Sequence, residues 1–402
     1  MATTNWHPLA LTAETPMFLG RFASTSVRDG QIPFPVPSLR GVLAYWLRTL
    51  AGAHVGDNLV SLAKAESALF GGARSGDSGG PSVIWIRGRL IGVSRYPGTD
   101  ANVAYLMGPG LRDSKEPAAR HLKAGTMISL AVRNTGGPAH ADLFLSALWA
   151  LRTFGGIGAR ARRGFGTVSV NIQQLRLPCA RFQQEWLYRD SADDLPDVLE
   201  CVSGTLTDLG IPRTADDTVQ PSYPRFDQSE QWYLLEPDVV IPDAGRYEPA
   251  LAWVGEHLRT FRLDGDDNLN TAGYREIVRP YLYGTAYTAA FRAGALGLPV
   301  VYTEKATQPG TDGRSATIEP VVNGQSSRRA SPLWLRVHRI GRTWRLRSLA
   351  FNAVWLPDSA GLQIKATKGV TRSELPVQPP SPDLIRQELQ RWFEFVAAES
   401  SA

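Results

Sequence analysis

Cys179 and Cys201 are the only cysteines in the 402-residue chain. Two are too few for the disulfide framework of a small secreted domain, and their separation matches no metal-ligand spacing. A reducing compartment is expected, and the opening residues show no charged and then apolar leader pattern, so the chain reads as cytoplasmic. No run of eighteen apolar residues occurs, so no membrane-spanning helix is expected. The six histidines, at 7, 54, 121, 140, 257 and 338, stand apart from one another. They offer neither a zinc set nor a paired nucleophile and base, and no metal or cofactor is expected. Lysine is scarce as well, at six of the 43 basic residues, the rest being arginine.

What the chain has is length and apolar material for two domains, with 43% hydrophobic residues and eleven tryptophans. The net charge of +5 is modest for this length and fits one basic groove better than a surface basic all over. The most unusual stretch is 151–170. Five glycines (Gly155, Gly156, Gly158, Gly164, Gly166) and three arginines (Arg160, Arg162, Arg163) fall within twelve residues. Before them Leu143, Ala147, Leu148 and Leu151 recur at helical spacing; after them Val168 and Val170 alternate with polar residues as in a strand. A helix therefore closes, a glycine loop follows and a strand opens. Gly155 and Gly156 fall where a helix end favours a left-handed residue. Guanidinium forks suit phosphate and also stack on bases, so the loop reads as a clamp for a nucleic-acid backbone. The alternative is a tight turn with solvated arginines. The loop has no lysine, which excludes the mononucleotide-binding pattern, and a dinucleotide fingerprint would open a helix where this loop closes one. Arg163 to Val168 matches most of an RNP-type RNA-binding strand, with Phe165 available for base stacking and Thr167 in place of an aromatic.

Strand patterns are expected from Trp6 toward Leu19, at 83–86 and at 127–133. Ser38 is expected to cap a helix that buries Val42, Leu43, Trp46, Leu47 and Leu50 and leaves Arg40 and Arg48 off that face. With Gly41 beside it, Arg40 would start the helix among free amides, a second phosphate contact, or else an ordinary solvated helix start. Asn58 is expected to cap a helix ending at Gly71, followed by a loop to Gly80. The polar stretch 181–225, acidic at 190–197, reads as a domain junction. The second half shows a strand from Gln231 to Ile241, a helix over 249–261 and a solvated acidic loop at 264–268. A largely helical stretch over 274–293 follows, then a fainter glycine break at 294–299, a strand at 300–302 and a flexible loop at 307–325. A last strand lies within 344–355. Ile385, Leu389, Trp392 and Val396 mark a C-terminal helix. Strands and helices alternate without a regular βα repeat, which predicts an α+β fold with mainly antiparallel sheets.

Thr15-Pro16-Met17-Phe18-Leu19-Gly20, then Ser38-Leu39-Arg40-Gly41 with Tyr45-Trp46-Leu47-Arg48, then 66–71 and the 155–166 loop, come in the order found in RAMP-superfamily proteins, which the chain resembles over about residues 8–360. Gly294 to Pro299 and Ser327-Arg328-Arg329-Ala330-Ser331-Pro332-Leu333 narrow the resemblance to the family of first-numbered subunits of Cmr, type III-B CRISPR, effector complexes. At 44–47 that family usually has paired aromatics and a further arginine, where this chain has Ala44-Tyr45-Trp46-Leu47.

The resemblance implies two ferredoxin-like, RRM-type lobes with helical and loop insertions, here 1–180 and 226–402 on either side of the 181–225 junction. It implies a subunit near the crRNA 3′ end, with crRNA, target single-stranded RNA and other Cmr subunits as partners, that handles RNA without cutting it. The Arg160 to Gly166 loop fits the family's glycine loop and Arg40, Gly41, Arg328 and Arg329 fall on its basic motifs; with Gly155, Gly156, Gly158 and Arg48 these are the expected RNA-binding residues. The enzyme alternative is a metal-independent endoribonuclease using His7 or His54; the third reading is a scaffold with no RNA contact. If both lobes bind one strand, their arginines share a continuous basic surface, with Tyr302 and Phe165 as stacking candidates.

Overall fold

The computed structural model of the chain describes residues 5–19, 32–75, 78–91, 101–108, 121–227, 229–263, 277–284, 290–298, 300–303, 313–368 and 373–400. Strand β1 (His7–Ala13) buries Leu9, Leu11 and Ala13 and turns the residues between them the other way, as the alternation predicts. After β2 (Met17–Phe18) and β3 (Ile32–Pro33), helix α1 runs from Val36 to Val55. It starts earlier than expected. Pro35 is the cap position, Pro37 fits the first turn where no amide bond is needed, and the Ser38 amide already donates to the Pro35 carbonyl. Ser38 is therefore not the cap, and Arg40 lies past the free amides of the first turn.

Helix α2 (Leu59–Phe70) does begin on Asn58, whose side chain accepts the Ser61 N–H at 3.0 Å, and ends at Gly71 with φ 71°. Where a loop was expected, β4 (Gly72–Ser75) and β5 (Ser78–Gly80) pair as a hairpin. Then come β6 (Ile84–Ile91), α3 (Ala101–Met107), β7 (His121–Leu122), β8 (Met127–Asn134), α4 (Pro138–Phe154) and β9 (Val168–Asn171). The main sheet has the order β3-β6-β8-β1-β9, with every neighbouring pair antiparallel. Its four long members form two βαβ units, β1-α1-β6 and β8-α4-β9, with β1 and β8 side by side in the centre. This is the ferredoxin-like arrangement expected of the first lobe. Leu9, Leu11, Ile128, Leu130 and Val132 face the core that α1 and α4 complete. Every residue of α4 from Ala141 to Phe154 is buried, so the helix that leads into the glycine loop is held on all sides.

The stretch 181–225 is not a domain junction but lies within the first compact unit and its core. Helices α5 (Trp186–Arg189) and α6 (Leu195–Asp208) belong to the same core; Leu195, Val198, Val202 and Leu206 recur on one face of α6, which packs on α1 and α4. The acidic residues between them hid that face in the sequence. Strands β10 (Tyr233–Leu235) and β11 (Val239–Val240) and helix α7 (Tyr247–Leu263) follow, then α8 (Arg279–Tyr283), a 3-10 turn at Arg292–Leu296 and β12 (Val300–Thr303). The acidic run 264–268 lies outside the described residues. The last elements are β13 (Ser315–Val322), β14 (Gln325–Ser326), β15 (Leu333–Ile340), β16 (Thr343–Phe351), β17 (Ala360–Lys368), β18 (Leu375–Val377) and α9 (Pro382–Ser400).

The chain divides into two compact units, Met1–Trp253 with Trp334–Phe351, and Val254–Leu333 with Asn352–Ala402. In the first, β16 lies between β15 and the pair β10 and β11 in an antiparallel sheet of its own. In the second, β13 is a central strand of the sheet β12-β13-β17-β18. The loop expected at 307–325 is thus a strand from Ser315 onward; six successive buried residues make a run without alternation, and Pro320 masked it. Nor is the strand at 344–355 the last, since β17 and β18 follow. Helix α9 buries Ile385, Leu389, Trp392 and Val396 as expected, with Trp392 edge-on to Phe261 at 5.4 Å.

Candidate nucleic-acid interface

The glycine loop is a closed excursion between α4 and β9. Its neck is the Ile157 N–H donating to the Gly166 carbonyl at 2.8 Å. It sits on the Thr15 to Phe18 segment: the Gly166 N–H donates to Pro16 O at 2.9 Å, the Ala159 N–H to Phe18 O at 2.8 Å, and the Thr167 N–H to the Thr15 hydroxyl at 3.1 Å. Two motifs about 150 residues apart in sequence are therefore one structure.

The glycines serve that closure. Gly158 and Gly166 have φ of 99° and 67°, and a Cβ at either would run into a backbone carbonyl, of Phe18 and of Ile157 respectively. A Cβ on Gly155 would meet the Trp46 indole nitrogen at 2.5 Å, and one on Gly164 the Val337 side chain at 2.8 Å. Gly155 is extended at φ −106°, and neither it nor Gly156 takes the left-handed conformation expected at the helix end. Phe165 is fully buried, with its ring edge-on to Phe18 at 4.9 Å. It is a core residue and not a base-stacking platform.

The three loop arginines gather at the tip, each half-buried. Arg160, at a positive φ of 63°, donates Nε to Met107 O at 2.6 Å, and Arg163 donates Nη1 to Leu106 O at 3.1 Å, so both hold the carbonyl end of α3. Arg162 lies over Trp334 at 4.7 Å and Tyr45 at 5.7 Å, while its carbonyl accepts the Leu335 N–H at 3.1 Å. Each arginine thus has work inside the fold.

Arg40 donates Nη2 to Phe70 O at 2.6 Å at the end of α2, and Arg48 pairs with Glu66 at 2.7 Å. Gly41 is exposed on α1, with nothing within 4 Å of where a Cβ would stand. The second-half motifs also meet: Leu298 and Arg329 exchange backbone hydrogen bonds of 2.8 and 3.2 Å, and Gly297 packs on Ser331. Arg329 donates Nε to Trp355 O at 2.6 Å, whereas Arg328 is exposed. Tyr302, on β12, is half-buried and lies edge-on to Phe291 at 6.3 Å.

Sequence reading missed a buried ionic cluster behind the loop. Asp190, at a left-handed φ of 52°, has Arg336 at 3.0 Å, Arg152 at 3.3 Å and Arg347 at 3.4 Å. Arg347 also grips Asp238 at 2.6 Å, and His338 stands 3.0 Å from Asp238. Burial alone would raise the Asp190 pKa, but Arg336 and Arg152 overcome it and hold it below the usual carboxylate range. Glu14, 3.7 Å from Arg336, is instead raised by burial. Burial, with Arg336 beside it, lowers His338 to about 4. The cluster ties the β15 and β16 hairpin to the end of α4, where Arg347 also donates to Thr153 O at 3.1 Å. Only tertiary structure brings these residues together, so spacing gave no signal.

Of the nuclease candidates, His54 is buried, with Nδ1 2.8 Å from the Ser203 hydroxyl and Nε2 2.9 Å from Ile211 O, and is closed to a substrate. His7 lies on β1. Among the described residues no group of three or more His, Cys, Asp or Glu side chains could hold a metal ion, and no helix is long and apolar enough to cross a membrane.

Residues 10–169 match the family model described as the RAMP superfamily. Curated relatives include the CRISPR system Cmr subunits Cmr1-1 and Cmr1-2 of Pyrococcus furiosus. The first is 25% identical over 138 residues, 33% of this chain and 39% of the relative; the second is 27% identical over 191 residues, 41% of this chain and 94% of the relative. Among solved structures, apo Cmr1 from Pyrococcus furiosus aligns over 98% of this chain and 97% of its own with a TM-score of 0.57 at 17% identity, a likeness of fold.

Proposed function

We propose, from the match of residues 10–169 to the RAMP-superfamily model, that the chain is a non-catalytic RNA-binding subunit of a crRNA-guided type III-B (Cmr) effector complex. It works near the crRNA 3′ end, with crRNA, target single-stranded RNA and other Cmr subunits as partners, and contributes to target capture in antiviral defence. The observation that carries this reading is the seating of the glycine loop on the Thr15 to Phe18 segment, with three arginines at the tip of a ferredoxin-like lobe. Gly41 and Arg328 are the expected RNA-binding residues best placed to meet a strand, because both are exposed, whereas Arg160, Arg163, Arg40 and Arg329 each hold a carbonyl of the fold and Arg162 lies over Trp334.

The test is to purify the protein from its native cells, with and without its companions, and to sequence the nucleic acid that comes with it. Small RNAs sharing a repeat-derived tag are expected; protein free of both RNA and companion subunits would refute the assignment. The purified chain is also expected to leave labelled RNA uncut, with or without divalent metal. Cleavage that disappears in His7→Ala would instead favour the endoribonuclease.

A further inference from the structure

In the first unit, α1 and α4 cover one face of the main sheet, and the strand register shows what the other face carries. Trp85 stands opposite Arg133, Arg87 opposite Ala131 and Arg89 opposite Ser129; Pro8 and Ala10 continue the last two rows on β1. Residues directly opposite on paired strands share a face, so these side chains form one surface. Trp85 is 50% exposed, and Ile91 and Met127, opposite each other at one end, are each 37% exposed. Arg87 lies over the Trp6 ring at 4.3 Å, a guanidinium and an indole already stacked. The Arg133 Nε is buried without a hydrogen-bond partner.

The charge of this face has one sign. Among the described residues of β1, β6, β8 and β9 that point this way there are three arginines and no carboxylate. Its centre is low, because Pro8, Ala10, Ser129 and Ala131 are small. Indole faces beside guanidinium groups, above a shallow floor, suit flat bases strung on a phosphate chain. Three guanidinium groups interrupt the exposed Trp85, Ile91 and Met127, which disfavours an apolar partner helix, and a basic partner would be repelled.

We propose that the face of this sheet opposite α1 and α4 is a platform for single-stranded RNA, with bases stacking on Trp85 and on the Trp6 and Arg87 pair while the arginines meet phosphate. That the strand is RNA rests on the function proposed above, but the platform shares no residue with the glycine loop.

The experiment titrates the full chain and its variants with a fluorescent ten-nucleotide oligouridine. Trp85→Ala should weaken binding about ten-fold, the scale of one base stack removed, and Trp85→Phe, which keeps a ring, should stay near wild type. Arg87→Ala with Arg133→Ala should flatten the slope of log K against log salt by about 0.7 for each phosphate no longer neutralised; this pair reports independently should Trp85→Ala lower the melting temperature. Arg162→Ala in the glycine loop is the comparison. If it weakens binding while both sets of face variants bind as wild type does, the platform is wrong and the RNA-binding reading stands. If the wild type itself does not bind, both fall. Face variants that keep RNA but shed companion subunits would show a protein-docking surface and overturn the proposal.

Discussion

A Cβ on Gly166 would meet the Ile157 carbonyl oxygen, and φ there is 67°, so both the backbone conformation and the space behind it demand glycine. Gly166→Ala should cost about 2 kcal/mol or more in urea unfolding, since left-handed strain and a backbone clash add. Gly41 is the opposite case. It sits exposed inside α1 with open space around it, so Gly41→Ala should stabilise the isolated chain by about 1 kcal/mol through helix propensity alone. If that more stable variant binds RNA less well, a strand approaches the α1 backbone there; unchanged binding removes Gly41 from the interface.

The β15 and β16 hairpin places Arg336, Arg347 and a neutral His338 around Asp190 and Asp238, and its attachment depends on the charges of the arginines and aspartates. Asp190→Asn keeps a residue tolerant of the left-handed backbone but leaves buried guanidiniums without their counter-charge. It should lose about 3–5 kcal/mol. The pH dependence has a definite sign. His338 has a folded pKa of about 4, below the ordinary value of 6.5, so the unfolded chain binds the extra proton between those values. Stability is full above 6.5 and falls as pH drops toward 4, by on the order of 3 kcal/mol for this group. The lowered Asp190 and Asp238 act in the same sense at more acid pH, whereas the raised Glu14 opposes them. His338→Gln should therefore show a flatter dependence of the urea midpoint between pH 7 and 5; an identical slope in both proteins would assign the effect elsewhere.

Local patterns were legible where one element declares itself. The Asn58 cap, the alternation of β1, the helix before the glycine loop and the apolar stripe of α9 could all be read directly. Elements whose chemistry is mixed were not: α6 hides its apolar face behind aspartates, and β13 is buried on both sides and interrupted by Pro320. At the site, sequence singled out the loop and the Thr15 to Gly20 motif but not that one seats the other, nor the inward duties of Arg160 and Arg163, because the carbonyls they hold are more than fifty residues away. The outward alternation of Trp85, Arg87 and Arg89 runs past the end of the strand expected at 83–86, which in the structure continues to Ile91.

At the scale of the molecule, each compact unit carries one of the paired glycine and arginine motifs. If both units engage one strand, the second site gains from effective concentration only when the RNA is long enough to reach it. Arg328→Ala is the suitable probe, since Arg329 braces Trp355. It should weaken binding of a long RNA more than of a very short one; equal losses would confine the strand to one unit.

The central claim is that the chain holds single-stranded RNA by its backbone and does not cut it. Its most direct test is an equilibrium titration of labelled single strands of unrelated sequence by the purified full chain at several salt concentrations, with the RNA recovered and sized afterwards. Similar affinities for all sequences, a linear fall of log K with log salt, and full-length RNA at the end are the predicted result. No binding even at low salt, or shortened RNA, would contradict it.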